Sequence, residues 1–478
     1  MGYAENVGDY YIGRYSAGGK WPTVKNSRGE TIRYRTKRDA SKAANDEEAK
    51  VRSGTWHDPE RGRITFGAWA NGWYASQNLA LSTMQNYKHH LEEHLLPEFE
   101  DDPLAEIFGA DVDEWERKEL AARYSLTSVR TWRTTLSTIL ADAVVEGLIP
   151  ANPAVKRRGR GKRAGRSRRR GPEKVTTDAL GALLIAERAA LLAGRDEEFV
   201  AITAMYWTGM RWGEVVGLRT EYARPSSIRI EHQLWEADDG AFHELPPKDD
   251  SYRDIDAPGF LSTLISAHLT RSNPRPCPCH GNRYVFSGRN GSAHWRRSPF
   301  GDWLFEPATS GWFPKKRATD ERRPVPLASE PWPGRPLRGR NNQGRAEACW
   351  MPIATGLTPH GLRHSHKTLL VEMRVPEILS HERLGHELDG IGGRYSHVTR
   401  TMREELMASL TERWHAALVA RRDMHPTSPV TILDELLFQS SGARTPGRSP
   451  GRPDHPTMQK TGALHTLRSK PRPARGVS

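Results

Sequence analysis

Residues 357–398 read LTPHGLRHSHKTLLVEMRVPEILSHERLGHELDGIGGRYSHV, and this stretch decides how the chain is interpreted. His360 and Arg363 are three residues apart, so both side chains leave the same face of a helix. His386 follows in a Leu-Gly-His triplet, and Tyr395 comes nine residues after it. Arginine and histidine supply positive charge and protons, and tyrosine supplies a nucleophilic oxygen. The stretch therefore indicates a reactive site rather than an ordinary amphipathic helix.

A second motif lies far upstream, where residues 208–214 read Thr-Gly-Met-Arg-Trp-Gly-Glu. Its Arg211 and Glu214 are also three residues apart. In order, residue type and spacing, the two motifs together resemble the catalytic boxes of the tyrosine recombinases, the phage integrase family. The overall layout is similar to integrases of actinobacterial phages and integrative elements.

This resemblance implies a mainly α-helical fold with small β-sheets. It predicts an N-terminal α/β domain like the arm-binding domain of these enzymes, a helical core-binding domain and a mixed α+β catalytic domain. The expected boundaries are 1–60 for the arm-type domain, 61–155 for the core-binding domain, 156–172 for a basic linker, 173–415 for the catalytic domain, and 416–478 for a mostly disordered tail.

Composition favours a polyanionic partner. The chain has 478 residues, a formal net charge of +13 and a pI near 9.7, which is typical of nucleic-acid-binding proteins. Three cysteines provide no disulfide framework, which fits a reducing compartment. The first residues lack the apolar core of a signal peptide, and no apolar run has membrane-spanning length. We therefore expect a cytoplasmic, DNA-associated bacterial protein with no membrane partner.

The resemblance implies a catalytic set and a role for each member. Arg211 and Arg363 would grip the non-bridging phosphate oxygens, because a guanidinium stays charged and binds phosphate in bidentate fashion. Tyr395 would attack the phosphorus, and His360 and His386 would hydrogen-bond the phosphate or move protons. The sixth member of the set is Lys248. No metal or cofactor is expected in this chemistry.

Lys248 is the candidate general acid for the leaving 5′-oxygen. It lies in Pro-Pro-Lys-Asp-Asp-Ser-Tyr-Arg, residues 246–253, between two strand-like runs. This pattern predicts a hairpin turn that presents the lysine. The adjacent Asp249 and Asp250 depart from the usual pattern, and a plain surface lysine is the alternative interpretation.

The first 60 residues read as three short strands followed by a helix. The strands are expected at 10–15, 21–25 and 31–34, and the helix is expected to begin at a capping pair, Thr36 and Asp39. Basic residues on such a sheet can hold DNA phosphates or form a solvated surface. The candidates for DNA contact here are Arg14, Lys25 and Arg33.

Two further regions supply candidate DNA contacts. Residues 64–153 carry apolar residues at helical spacing, and their basic positions Lys88, Arg130 and Arg133 are plausible phosphate contacts. The charge run KRRGRGKRAGRSRRR at 156–170 contains Lys156, Arg157 and Arg158, and it would track the DNA backbone between the two lobes.

Residues 273–350 are rich in Pro, Gly and Arg and are longer than the corresponding family connection, so they are interpreted as an insertion. The insertion contains Cys-Pro-Cys-His at 277–280, a spacing that is unusual for structural zinc. A fourth ligand would have to come from Cys349 or His294, both far along the chain. The preferred interpretation of this motif is a loop, with no metal site.

The resemblance also implies partners. Double-stranded DNA attachment sites are the expected substrate, and four copies of the chain would form the synaptic complex. An excisionase or a host DNA-bending protein is a further expected partner. The last helix and residues 430–438 would pack on a neighbouring protomer. Two alternatives remain open: a type IB topoisomerase-like enzyme, and a non-catalytic DNA-binding protein of architectural or regulatory role.

Overall fold

The structure is a computed structural model of the full chain. It describes residues 1–26, 29–53, 56, 61–155, 173–288, 293–311, 350–386 and 397–441. Buried apolar residues gather in three separate clusters along the sequence, in the first 60 residues, in 66–154 and in 182–437. The architecture is mainly helical with small two-stranded sheets.

The N-terminal unit is a β-ribbon packed against one helix. Strands β1 (Tyr3–Asn6) and β2 (Tyr11–Arg14) pair antiparallel, and α1 (Lys37–Arg52) packs on both. The side chain of Thr36 accepts a hydrogen bond from the Asp39 backbone N–H at 3.2 Å, so the predicted cap is confirmed.

The predicted three-stranded sheet in this unit is wrong in its composition. The segments expected at 21–25 and 31–34 meet β2 only through isolated bridges, Thr23 to Arg14 and Tyr34 to Tyr11. The regular partner of β2 is β1, which the sequence analysis missed. Positive φ angles at Gly18 and Gly19 turn the chain sharply after β2, which leaves too short a run for a second regular ladder.

The second unit is helical. Its helices are α2 (Phe66–Ser76), α3 (Leu81–His90), α4 (Leu96–Phe99), α5 (Gly109–Ala121) and α6 (Leu126–Val145), with a π-helical turn at Leu91–Leu95 that joins α3 to α4. Apolar residues at helical spacing, such as Val129, Leu136 and Leu140, are buried, because the 3.6-residue period places them on one face. Two tryptophans also fasten α2 to α6: Trp69 donates to the Ile139 carbonyl at 3.1 Å, and Trp73 donates to Asp142 at 2.6 Å.

The third unit begins with a helical pair and a split sheet. The elements are α7 (Ala179–Ala193), α8 (Glu197–Thr208), α9 (Trp212–Val216), β3 (Ser227–Ile230), β4 (Gln233–Glu236), β5 (Phe242–Leu245), β6 (Arg253–Asp256) and α10 (Gly259–Ser272). Strand β3 pairs with β6, and β4 pairs with β5, in both cases antiparallel. The second pair is therefore a hairpin inserted between the strands of the first.

The remaining helices complete the third unit. They are α11 (Arg297–Phe300), α12 (Glu306–Ser310), α13 (Pro359–Glu372), α14 (Glu377–Leu384), α15 (Arg400–Met424) and α16 (Thr431–Ser441), with a π-helical turn at Gly301–Phe305 between α11 and α12. None of the helices in the described part of the chain combines the length and the apolar character that a membrane span needs.

The predicted insertion at 273–350 is partly core. Phe286, Trp295, Phe300 and Phe305 are buried in the same cluster as the helices of the third unit. The sequence pattern did not indicate their burial, because Pro, Gly and Arg dominate the local composition, whereas a few large aromatic side chains carry the packing.

One buried arginine holds both sides of the segment 312–349, which lies outside the described residues. Arg188 on α7 donates to the backbone carbonyls of Ala308 at 3.2 Å and Met351 at 2.7 Å. Its guanidinium also lies 5.1 Å from the centre of the Trp350 ring. The chain therefore leaves and re-enters the core at neighbouring points.

The expected boundary between the catalytic domain and the tail, at 415/416, is too early, because helical structure continues to Ser441. Helix α15 continues to Met424, and Leu433 and Leu437 of α16 are buried in the main cluster. This second helix covers most of residues 430–438, the segment for which packing was expected. Residues 442–478 lie outside the described residues.

Helix α16 packs on its own chain, which differs from the predicted packing on a neighbouring protomer. The buried ion pair of Arg421 and Glu187 fixes this arrangement, with N–O distances of 2.6 and 2.7 Å. Ser428, in the turn before α16, donates to the same carboxylate at 2.6 Å. Helices α7 and α15 are thereby joined to the turn that leads into α16.

Candidate active site

The upstream motif forms a tight corner between α8 and α9. Helix α8 ends at Gly209, whose φ of +70° is the left-handed conformation that glycine adopts most readily. A Cβ there would come within 2.8 Å of the His366 ring and 2.7 Å of the Leu384 side chain. Only glycine therefore lets the corner approach α13 and α14, which places Arg211 beside the second motif.

Arg211 caps α9 and shares its guanidinium between two partners. Its backbone N–H donates to Glu214 at 2.8 Å, while its side chain donates to the other oxygen of Glu214 at 2.8 Å and to Ser251 at 2.9 Å. The Arg211 side chain retains 16% exposure, whereas the Glu214 side chain has none. The i,i+3 spacing read from the sequence therefore orients the arginine through a buried carboxylate.

Glu214 bridges Arg211 to a second arginine that the sequence analysis did not select. Arg253, on β6, donates to Glu214 at 2.8 and 3.1 Å and to the Arg383 carbonyl at 3.0 Å. Although burial raises it, hydrogen bonds from Arg253 and Arg211 hold the pKa of Glu214 below its usual value. The carboxylate is therefore charged, and it supports Arg211 rather than acting as an acid. An arginine five residues after Lys248 was the available signal.

Arg363 lies on the inner face of α13 and is buried. Its guanidinium donates to the carbonyl of Gly209 at 2.7 Å and to the carbonyl of Leu384, and it lies 2.9 Å from Nε2 of His386. Burial, and then the charge of Arg211, lowers the pKa of Arg363 to about 9, so it is still protonated at neutral pH. Arg363 thus joins the two motifs directly.

His386 follows Gly385, the left-handed residue that ends α14. Burial, and then the charges of Arg363 and Arg211, lowers the pKa of His386 to about 4. The ring is therefore neutral at physiological pH, and it accepts the hydrogen bond from Arg363. A neutral imidazole beside an arginine can accept or relay a proton.

His360 is on the first turn of α13, with its ring 4.8 Å from that of His364. Partial burial, and then the charges of His364 and Arg363, lowers the pKa of His360 as well. His360 and Arg211 both line a cleft of about 630 Å³. The same cleft is also lined by Trp295 and Arg297, which come from the predicted insertion.

Lys248 is exposed and lies on a 3₁₀ turn between β5 and β6. The predicted hairpin is wrong, because β5 pairs with β4 and β6 pairs with β3. The turn is nevertheless tied to the site. Ser251 donates to the Lys248 carbonyl at 2.8 Å and accepts from Arg211, so one hydroxyl links the lysine turn to the arginine. Positive φ angles at Asp249 and Asp250 give the turn its shape.

Several predicted residues lie outside the described residues. Tyr395 is among them, together with the linker positions Lys156, Arg157 and Arg158. The described chain stops at His386 and resumes at His397, which bracket the tyrosine. The assignments made for these residues stay predictions.

The candidate DNA contacts of the N-terminal unit differ in their availability. Arg14 pairs with Glu5 across the ribbon, so its guanidinium is already engaged. Lys25 is half-buried beside a bridge to the neighbouring segment. Arg33 is exposed and lies 4.8 Å from the centre of the Tyr10 ring.

In the helical unit, the prediction for Arg133 is wrong. This side chain is buried and donates to both Asp113 and Glu116 at 2.6 Å, so it forms structural ion pairs that join α6 to α5. Its helical position faces inward one turn after Val129, and sequence charge alone does not reveal that. Arg130 is exposed, and Lys88 is exposed beside Glu92 at 3.9 Å.

No protein-family model matches the chain. The putative prophage phiRv2 integrase of Mycobacterium tuberculosis is 24% identical over 361 residues, covering 74% of this chain and 80% of that protein.

Solved structures of two integrases also align with the chain. The Tn1549 transposon integrase in complex with transposon right end DNA aligns with a TM-score of 0.48 and 16% identity, over 73% of this chain and 100% of that one. A lambda integrase dimer bound to a COC′ core site aligns with a TM-score of 0.43 and 15% identity, over 84% and 92% of the two chains.

A corner of three arginines with one buried carboxylate and adjacent neutral imidazoles defines a site for an anionic group. The two motif boxes occur in the order and spacing of one enzyme family, and a prophage integrase is similar over 361 residues. The chain is thus similar to a prophage integrase, and its motif boxes resemble those of the tyrosine recombinases.

Proposed function

We propose that this protein is a site-specific DNA recombinase that integrates and excises a mobile element, acting on attachment sites in bacterial cytoplasmic DNA. It cleaves and rejoins DNA strands through a 3′-phosphotyrosyl intermediate. Its substrate is double-stranded DNA, and four copies of the chain form the complex that exchanges strands. An excisionase or a host DNA-bending protein takes part in one direction of the reaction.

One observation carries the proposal: the environment of Arg363. In the described part of the chain, the groups that hydrogen-bond its guanidinium are two backbone carbonyls and the neutral ring of His386. A buried arginine is normally paired with an anion, because an unpaired buried charge is costly. The arginine is therefore built to receive an anion, and a phosphodiester supplies one.

The chemistry follows from the roles of the six proposed residues. The phenol oxygen of Tyr395 attacks the phosphorus, and the bond from phosphorus to the 5′-oxygen breaks. Arg211 and Arg363 stabilise the charge that develops on the two non-bridging oxygens. His360 and His386 hydrogen-bond the phosphate or accept the phenol proton, and Lys248 donates a proton to the leaving oxygen.

The reaction conserves phosphoester bonds. One ester to the 5′-oxygen is lost and one ester to Tyr395 is formed, so the reverse attack by a 5′-hydroxyl rejoins a strand without an external energy source. The tyrosine, which is bracketed by the described residues His386 and His397, is proposed from the sequence pattern.

The proposed domain organisation follows the three clusters of buried residues. Residues 1–60 bind arm-type sites, 61–155 bind the core site, and the third unit carries catalysis. Among the candidate contacts, Arg33, Lys88 and Arg130 are exposed, and they are proposed to meet phosphates together with the basic linker at 156–172. Each phosphate contact removed should reduce the slope of log affinity against log salt by about 0.9.

Covalent capture tests the proposal. The protein is incubated with supercoiled DNA that carries the sequence flanking its own gene, in the presence of a chelator, and quenched with detergent. We expect a protein–DNA adduct that is absent with Tyr395→Phe, whose phenylalanine lacks the attacking oxygen. Sequencing the linked 3′ ends then locates the crossover.

The same experiment separates the other interpretations. Joining of two separate duplexes identifies a recombinase, whereas relaxation of supercoils without joining identifies a topoisomerase-like enzyme. DNA binding with no adduct on any flanking sequence would contradict the proposal and favour a non-catalytic DNA-binding protein.

A further inference from the structure

A cluster of two thiols and two imidazoles lies outside the proposed active site. It consists of Cys277, Cys279, His280 and His294, whose ligand atoms all lie within 4.8 Å of one another. The Sγ atoms of Cys277 and Cys279 are 3.7 Å apart, and Nδ1 of His280 is 3.7 Å from the first and 3.3 Å from the second. His294 completes the set, with Nε2 at 3.1 Å from Sγ of Cys279.

Three of these separations, at 3.3–3.7 Å, are those of neighbouring ligand atoms in a coordination tetrahedron, and the fourth, at 3.1 Å, is slightly shorter. Zinc binds thiolate sulfur at about 2.3 Å and imidazole nitrogen at about 2.0–2.1 Å, so neighbouring ligand atoms around it are about 3.3–3.8 Å apart. Four soft or borderline ligands in an S₂N₂ arrangement suit zinc better than magnesium or calcium, which prefer oxygen. Two sulfur atoms at 3.7 Å are also well beyond the disulfide bond length of about 2.05 Å.

The backbone around the first two cysteines already has the shape of a metal-binding turn. The N–H of His280 donates to Sγ of Cys277 at 3.2 Å, and the N–H of Gly281 donates to the Cys277 carbonyl at 2.9 Å. Gly281 has a φ of +71°, which closes the turn. Backbone donors to a sulfur stabilise its thiolate form, which is the form that binds a metal.

The imidazole of His280 is oriented by a further contact. Its Nε2 lies 3.1 Å from the Phe242 carbonyl of β5, so this nitrogen donates the hydrogen bond and Nδ1 is left as the acceptor that faces the thiols. Metal-binding histidines typically donate their second nitrogen to such a carbonyl. The ring of His294 is held between those of Phe242 and Tyr284, with centroid distances of 4.9 and 4.8 Å.

We propose that Cys277, Cys279, His280 and His294 bind one structural Zn²⁺ ion. All four positions are filled by protein ligands, which is typical of structural rather than catalytic zinc. The inference goes beyond the recombinase proposal and does not depend on it, because the site is built from other residues.

The location assigns the metal a role. It ties the turn at 277–281 to β5 and to the segment that begins at His294. The next residue, Trp295, is buried and stacks 6.3 Å from the ring of Trp212, the residue after Arg211. The metal therefore fixes the wall of the active-site cleft that the predicted insertion supplies.

Metal analysis of the full-length protein tests the site. We expect about one equivalent of zinc per chain after purification without chelator, and at least a tenfold lower content in the double variant Cys279→Ser/His294→Ala. The matched control is Cys349→Ser/His415→Ala, which removes the third cysteine and an exposed histidine of α15 and should retain the metal. Zinc retained by the first double variant would overturn the assignment.

A second measurement on the unmodified chain guards against misfolding of the variants. Zinc is released with a thiol-specific mercurial, the mercurial is removed with excess thiol, and Co²⁺ is added. We expect the intense visible bands of tetrahedral cobalt and the charge-transfer absorption of two thiolates, reduced to about half in the single variant Cys279→Ser. The absence of these bands in refolded protein would contradict the proposal.

Thiol protection gives the third readout. Zinc should shield the exposed Cys279 from alkylation, and readdition of zinc to the stripped protein should raise its melting temperature. A Cys277–Cys279 disulfide, or metal binding that survives His294→Ala, would refute the ligand set. None of these readouts requires DNA cleavage, so they are independent of the outcome for the recombinase.

Discussion

Two buried glutamates in this chain each pair with an arginine, but one arginine is fully buried and the other is partly exposed. Glu187 and Arg421 are both fully buried, and the remaining donors of Arg421 are directed to the carbonyls of His425 and Thr427. Glu214 is equally buried, but its partner Arg211 retains 16% exposure and faces the cleft. We call the fully buried pair of Glu187 and Arg421 the closed pair, and it joins helices. We call the partly exposed pair of Glu214 and Arg211 the open pair, and it presents charge to a ligand.

The difference lies in what surrounds each carboxylate. Around Glu187, the arginine and the Ser428 hydroxyl converge so that donors and acceptors are matched. Around Glu214, two arginines share one carboxylate, and Arg363 adds a third positive charge nearby. The site therefore carries an excess of positive charge that only an incoming anion balances.

Breaking the closed pair should have the largest effect. Arg421→Met leaves Glu187 buried without its charged partner, and we expect the free energy of unfolding to fall by about 3–5 kcal/mol. Chemical denaturation measures it. The double variant Arg421→Met/Glu187→Leu should recover much of the loss, since no charge is left buried. A loss below about 1 kcal/mol in the single variant would show that the pair is not closed to water.

Breaking the open pair should cost rate rather than stability. Arg211→Lys keeps the charge but cannot serve Glu214, Ser251 and a phosphate at once, so we expect DNA cleavage to slow about 10²–10³-fold. The unfolding midpoint should shift little. Single-turnover adduct formation and denaturation are compared with Arg229→Lys, an arginine paired at the surface with Glu231 and Asp254, which should be neutral. A destabilised variant with a normal cleavage rate would show that the Arg211–Glu214 pair serves stability rather than catalysis.

A smaller effect is expected at the hydroxyl that links the lysine turn to Arg211. Ser251→Ala removes one hydrogen bond to the arginine and one to the Lys248 carbonyl. We expect cleavage to slow about fivefold, corresponding to about 1 kcal/mol. The exposed Ser226→Ala is the control. An unchanged rate would mean that the turn and Arg211 act independently.

Proton uptake should be the smallest signal. Free His386 has a pKa of about 4, so it is neutral at pH 6, and a bound phosphate raises that pKa because it offsets the charges of Arg363 and Arg211. Protons are then taken up on binding, and affinity rises as the pH falls from about 7 towards 5. Calorimetry in buffers of different ionisation enthalpy measures the uptake. Equal uptake by His386→Asn would assign it to another group, such as His360.

The sequence predicted the parts of the fold that depend on neighbours along the chain. The pairs Arg211/Glu214 and His360/Arg363 each lie within one helical turn, and the structure orients them as that spacing requires. The cap at Thr36 was equally local. Such features follow from backbone periodicity and short hydrogen bonds, which a sequence displays directly.

The predictions that failed depended on packing between distant segments. Arg133 has the composition of a DNA contact, yet the fold turns it inward onto Glu116. Residues 430–438 were expected to pack on a neighbouring protomer, but Glu187, more than 200 residues away, anchors the turn before α16 through Arg421. Charge and polarity in a sequence do not reveal whether a charged side chain has a buried partner of opposite charge.

By itself, the sequence determined the class of chemistry, because the reactive residue types and their spacing are local properties. Tertiary structure decided which charges are free to act. In the folded chain Arg421 is buried against Glu187, whereas Arg211 stays partly exposed at the cleft. Folding also places His294 beside Cys277 and Cys279, although it lies more than ten residues further along the chain. The physical reason is that burial and long-range contacts set the energy of a charge or a ligand, and neither is encoded in neighbouring residues.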